Sequence, residues 1–406
     1  MSSIYIYWDE SHFWGLMAVR ALSAWGIDHR LVRGSEIAQG ILADKPPKVL
    51  LVPGGRAKGK TERLGPKGMD AIRTYVASGG TYLGFCGGAG LALSGGGGLG
   101  LCPWKRRGFT NRLQHFLSGH IHVTLNMGQD LIPPSLGEAA LLPVWWPGQF
   151  GPEDDEVTVL ACFGRPGPDF WVADLALDSL PKGTMTDWEA MYGIGLNPDF
   201  LEGNPCVVTG SHGQGRYILS YAHLETPASS QANGWLAHLL GRLLDTETTR
   251  PPLPAWNLTE RPVVWHDPVL TDAREMLTSA INTGLAHLLL FWRTPWLLGW
   301  RRGIPGAGIN ALFALVCESL ASQPTPAASA FWAERSEAFA KNMELLYNGL
   351  TGFLLAERLA MTVFHSETDS VPGLKERREI LFGPPPGAGG VYGELLDDLE
   401  TLFYLL

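Results

Sequence analysis

The chain has 406 residues, 45% hydrophobic and 17% charged, which describes a folded globular protein with enough material for two cores. A formal net charge of −9 argues against nucleic-acid binding, because phosphate affinity rests on clustered Lys and Arg, and the run Lys105-Arg106-Arg107 is too short to reverse that balance. The five cysteines (86, 102, 162, 206 and 317) are odd in number and show no Cys-x-x-Cys spacing, which disfavours a disulfide framework or a zinc site and fits a reducing, cytoplasmic setting.

The N-terminus, Met1 to Asp9, lacks a basic region followed by a long apolar stretch and reads as a first strand over residues 4 to 8 instead of a signal peptide. A helix is expected over 11 to 25, a strand over 29 to 33, and a buried strand over 48 to 52 that ends at Pro53-Gly54-Gly55. Pro66 is expected to open a helix that runs to Ala77, Ser78-Gly79-Gly80 to close it, and Thr81 to Phe85 to form the next strand, followed by a helical turn over 87 to 93. This strand–helix alternation predicts an α/β fold, a flavodoxin-like, mostly parallel sheet with helices on both faces.

Beyond Gly95 to Gly98 the pattern becomes strand-rich, with short apolar or alternating runs at 121–125, 143–146, 157–163, 206–211 and 217–220, and then a helix over 229 to 244. Arg250-Pro251-Pro252-Leu253-Pro254 is the clearest linker. The expected division is a first domain over 1–247, a Pro-rich linker over 248–267 and a smaller, mainly helical domain of unknown role over 268–406, with a long helix near 330 to 362 and a Gly/Pro loop at 383–387. The most apolar segment, 285 to 300, is interrupted by Arg293 and Pro295 and is too short to span a bilayer. It reads first as a helical core segment; alternatively its Phe291, Trp292, Trp296 and Trp300, with Arg301-Arg302 behind them, sit at an interface with a protein partner or second copy, or at a membrane surface.

The strongest chemical signal is Gly84-Phe85-Cys86-Gly87-Gly88, an apolar strand that stops at a cysteine flanked by glycines and then turns helical. A nucleophile on such a turn occupies strained backbone angles and tolerates no crowding side chain, which explains the glycines. The helix start favours thiolate, and backbone N–H groups at Gly87, with Gly54 and Gly55 at the end of the neighbouring strand, are candidate donors to an oxyanion. His223, just past a later strand, is the candidate base, and Glu225 the group that orients it. Trp145 and Trp146 at another strand end are candidate pocket-lining residues.

Two competing motifs bear weighing. Gly54 to Thr61 fits the G-x-x-x-x-G-K-[ST] spacing of a phosphate-binding loop, but Gly65-Pro66 interrupts the helix such a loop needs, so its lysines read as a solvated loop. His120 and His122 share a strand face without a third ligand nearby, so no metal and no cofactor is expected.

Cys86 in its glycine turn and His223-Leu224-Glu225 resemble the G-x-C-x-G and H-x-E pair of class I glutamine-amidotransferase-like domains. Leu51 to Arg56, Gly79 to Cys86, Val159-Leu160-Ala161 and Gly213 to Arg216 together resemble, more closely, the amidotransferase-like domain named after the N-terminus of biotin-protein ligases, over residues 1 to 245. The resemblance implies an amidotransferase-like fold and a cysteine nucleophile acting on an amide or ester of an unidentified small molecule through a thioester. It also leaves open a non-catalytic module binding a small molecule or protein. Gly90 stands where such enzymes commonly carry a Gln that helps hold glutamine, so the likeness does not extend to that substrate.

Overall fold

The computed structural model describes residues 3–108, 117–154, 156–363, 372–384 and 389–406. The chain forms two compact units, Met1–Ala255 and Trp256–Leu406.

The first unit opens with β1 (Ile4–Tyr7), α1 (His12–Ala24), β2 (His29–Val32), α2 (Gly34–Ala38), α3 (Ile41–Asp44) and β3 (Val49–Val52). It continues through α4 (Ala57–Ala77), β4 (Thr81–Phe85), the short α5 (Gly87–Ala92), β5 (Lys105–Arg106), β6 (Leu117–Leu125), β7 (Ala139–Trp145), β8 (Phe150–Gly151) and β9 (Thr158–Pro166). It closes with β10 (Trp171–Val172), β11 (Leu175–Ala176), α6 (Thr184–Tyr192), β12 (Pro205–His212), β13 (Gly215–Ser220) and α7 (Ser230–Leu244).

The large sheet runs β11-β10-β6-β9-β12-β13-β4-β3-β1-β2, with β7 added on β6. The block β2-β1-β3-β4-β13 is parallel, and β12, β9, β6, β7, β10 and β11 extend it with antiparallel pairs. Every residue of β1, β3 and β4 is buried, the pattern of strands covered on both faces, and this is why Ile4–Tyr7 and Val49–Val52 are unbroken apolar runs. The α/β class expected from the sequence is the class observed.

The order has one consequence for chemistry. Because β4 lies between β3 and β13, the segments leaving these three strands at their C-terminal ends emerge side by side, with the β1 exit next to that of β3. Cys86, Gly54-Gly55 and His223 all sit on those exits.

Helix α4 corrects one expectation. It begins at Ala57, ahead of Pro66, and Gly65 interrupts it with φ 60° and ψ 177°. Pro66 has no N–H to donate and forces the preceding residue out of the helical region, but neither effect forbids a helical turn before the break. Lys58 and Lys60 are therefore helical, and Lys60 is buried, not solvated.

The second unit contains α8 (Pro268–Ala286), β14 (Leu290–Thr294), β15 (Leu297–Trp300), α9 (Gly306–Leu320), α10 (Pro326–Val363), α11 (Leu374–Phe382) and α12 (Gly390–Leu405). Asp267 caps α8 by accepting from the N–H of Leu270 at 2.9 Å, with Pro268 at the first position. Among the expected loop at 383–387, residues 385–387 lie outside the described part of the chain.

The segment 285–300 differs from expectation, since most of it is an antiparallel hairpin pairing Leu290 with Trp300 and Phe291 with Gly299. Leu288 takes a left-handed φ of 58° as α8 ends, and Pro295 turns the chain between the strands. The Phe291 ring lies over Gly299, where an added Cβ would meet it at 2.1 Å. A short apolar run carries no periodicity that separates a buried helix from a strand, and aromatic content favours the strand. No described helix is long and apolar enough to cross a membrane.

Candidate active site

Cys86 directly follows strand β4, and its φ of 47° and ψ of −103° place a non-glycine residue in a strained region. The N–H of Cys86 donates to the carbonyl of Ser220 at 2.7 Å, carrying the β4–β13 ladder one residue further and fixing the cysteine beside the β13 exit. Its N–H is thereby used up. The thiol is half-buried, with Sγ 4.0 Å from the carbonyl oxygen of Trp145.

The glycines around it are required by close backbone approach. An added Cβ on Gly87 would lie 2.0 Å from the carbonyl oxygen of Gly55, and one on Gly88 would lie 1.9 Å from that of Val52. Gly55 has φ +110° and would collide with the carbonyl oxygen of Glu10 at 1.9 Å. The turns after β1, β3 and β4 are thus packed backbone against backbone. Among the described residues, the N–H groups of Gly55 and Gly87 meet no backbone acceptor, which leaves them available to an oxyanion.

His223 follows β13 and is completely buried, its N–H donating to the carbonyl of Pro143 at 2.9 Å. Its Nδ1 donates to Glu225 Oε1 at 2.8 Å, and Glu225 is equally sealed from solvent. Burial disfavours the imidazolium, but the Glu225 carboxylate and the sulfur of Cys86 outweigh it and raise the pKa of His223 above the usual histidine range. The other ring nitrogen, Nε2, is buried without a hydrogen-bond partner. The arrangement is that of a base oriented by a carboxylate on one nitrogen, with the second turned to a neighbouring thiol.

Trp14, just inside α1, is a site residue that the sequence did not single out. Its ring lies against His223 with centroids 4.6 Å apart and against Trp146 at 5.6 Å, edge on. Gly54 makes room for both, since an added Cβ would meet Trp14 at 2.9 Å and His223 at 3.1 Å. Trp146, with φ 55°, therefore borders the site through Trp14. Trp145 is part of the core: it is 1% exposed, and its indole N–H donates to Thr226 Oγ1, whose hydroxyl in turn donates to the carbonyl of His223.

The β1 exit is held by charges. Lys60, fully buried, donates through Nζ to the carbonyl of Asp9 at 3.0 Å and to Ser11 Oγ at 2.5 Å. Arg56 pairs with the Glu10 carboxylate at 2.9 Å, and Arg63 approaches it at 3.6 Å. The lysine of the loop-like motif is thus engaged with protein groups in the interior. His120 is likewise engaged, through Asp169 at 2.8 Å and Ser229 at 3.0 Å, and among the described residues no group of three His, Cys, Asp or Glu is placed to hold a metal ion.

Comparison with known proteins gives three kinds of result. No curated protein sequence matches the chain. Solved structures with similarity include a glutamine amidotransferase (18% identity, 60% of this chain and 100% of that one, TM-score 0.38). A putative GMP synthase component from Thermoplasma acidophilum is similar at 12% identity, covering 60% of this chain and 94% of its own, with TM-score 0.38. A cold-adapted β-galactosidase from Rahnella sp. R3 matches at 13% identity over 61% of this chain and 32% of its own, with TM-score 0.37. Residues 41–94, the stretch that contains Gly54, Gly55, Cys86 and Gly87, match the family described as "Biotin-protein ligase, N terminal".

Proposed function

We propose that the first unit is a cysteine-dependent acyl-transfer or hydrolytic module of the amidotransferase-like class, acting on the amide or ester of a small molecule. The observation that carries this reading is the buried His223, tied through Nδ1 to Glu225 and left with an unpartnered Nε2 beside the strained Cys86. A histidine needed only for packing has no use for a buried carboxylate on one nitrogen and an unsatisfied second nitrogen, which costs stability.

In this mechanism His223 takes the proton of the Cys86 thiol, and Glu225 stabilises the resulting imidazolium. The thiolate attacks the carbonyl carbon, forming a C–S bond and an oxyanion that the N–H groups of Gly55 and Gly87 stabilise. Collapse breaks the bond to the leaving nitrogen or oxygen, which receives its proton from His223. Water, giving its proton to His223, then attacks the thioester and releases a carboxylic acid and the free thiol.

The test is acyl trapping with an activated ester such as p-nitrophenyl acetate, followed by mass spectrometry. One acetyl group is expected on the Cys86 peptide, forming faster in the wild type than in His223→Ala. Acetylation that ignores Cys86, or proceeds equally in both proteins, would favour a non-catalytic binding module.

A further inference from the structure

We infer that Tyr221 and Arg106 form a subsite beside Cys86 that recognises a carboxylate borne by the substrate. This inference rests on the reading of Cys86 as nucleophile and goes beyond it by assigning a substrate class.

Tyr221 directly follows β13 and is 2% exposed, and its hydroxyl is buried without a hydrogen-bond partner. The ring is clamped. Phe150 lies 4.4 Å away between centroids, and Gly148 passes so close that an added Cβ would lie 2.5 Å from Cε1. The hydroxyl is directed over Gly90, 4.0 Å from where a Cβ there would stand. Gly90 is one helical turn after Cys86, its N–H donating to the Cys86 carbonyl at 2.9 Å. A fixed, buried, unsatisfied donor therefore borders the gap left by the missing side chain of Gly90, on the helix that follows the thiol. Burial, opposed by Arg106 and reinforced by Cys86, raises the phenol pKa far above its usual value, so the group remains a neutral donor.

Arg106 reaches the same place from the β5–β8 ribbon. It pairs directly with Phe150, and directly opposed residues of an antiparallel pair share a face, so its side chain stands on the side where Phe150 meets Tyr221. Its neighbours are engaged, Lys105 with Glu153 at 3.0 Å and Arg107 with Asn204 at 3.1 Å. Arg106 has no ion-pair partner among the described residues. One guanidinium and one neutral hydroxyl suit a single negative charge spread over two oxygens, and Gly90 leaves space for the chain linking that carboxylate to the reacting carbonyl.

Two alkylating probes of nearly equal shape test this without knowledge of the substrate. Iodoacetate carries a carboxylate and iodoacetamide a neutral amide, and with either the Cys86 thiolate displaces iodide from the methylene carbon. The ratio of the two rate constants at Cys86, followed by peptide mass spectrometry, is expected to fall about tenfold or more in Tyr221→Phe and Arg106→Gln, the size of a lost hydrogen bond to a charged group. Inorganic phosphate is expected to protect less than glutarate. An unchanged ratio in both variants, with Cys86 still labelled rapidly, would overturn the subsite alone, as would protection by phosphate and not by glutarate. Labelling of Cys86 no faster than a free thiol by either probe would overturn the nucleophile reading, and the subsite with it.

Discussion

His223 Nδ1 lies 2.8 Å from Glu225 Oε1, with the two side chains 0% and 1% exposed. Removing one partner of such a pair leaves an uncompensated polar group in the interior, so Glu225→Ala is expected to destabilise the first unit by about 3–5 kcal/mol, measured by urea denaturation. The pH dependence has a definite sign. The folded-state pKa of His223 is raised from 6.5 to about 10, so the folded protein holds this proton more tightly than the unfolded chain does. The resulting stabilisation is fully present below about pH 6.5 and is lost as pH rises through about 10. That loss is expected to flatten in Glu225→Ala, and an unchanged slope across the window would contradict the pairing.

Backbone contact at the strand exits predicts a sharp contrast between glycines. Gly55→Ala places a Cβ 1.9 Å from the carbonyl oxygen of Glu10 at φ +110°, whereas Gly26, at φ +62°, has nothing within 4 Å of its Cβ position. Gly26→Ala should cost only the left-handed penalty, about 1–2 kcal/mol. Gly55→Ala should cost well over that or prevent folding, and equal unfolding midpoints would show that the β1 and β3 exits are not packed as described.

Lys60 separates the two readings of the Gly54–Thr61 motif. A buried ammonium that pins Asp9 and Ser11 is structural, so Lys60→Met should lower stability by about 3 kcal/mol, and Mg-ATP should leave the Tm of the wild type unchanged. A saturable rise in Tm with Mg-ATP that disappears in Lys60→Met would restore the nucleotide-binding reading.

Much of this geometry is written locally in the chain. The apolar runs at Val49–Val52 and Tyr82–Phe85 specify strands buried on both faces, and the glycines around Cys86 specify a turn that backbone can approach. The grouping of Cys86 with His223 follows once β13 is known to pair with β4. Trp14, Tyr221 and Arg106 carry no comparable local signature. They reach the site through the β1 exit, the clamp of Phe150 and Gly148, and a two-residue ribbon, all products of tertiary packing. Lys60 and the 290–300 hairpin were illegible for a related reason. A helix break at Gly65-Pro66 says nothing about the turn before it, and a short apolar run fits either element until its neighbours are fixed.

Activation of Cys86 by His223 is read out by iodoacetamide labelling of Cys86 across the pH range. Labelling is expected to be rapid at neutral pH in the wild type and about ten- to a hundredfold slower in His223→Ala, with the difference closing as the pH rises above that at which an ordinary thiol ionises. Identical rate–pH profiles for the two proteins would contradict it.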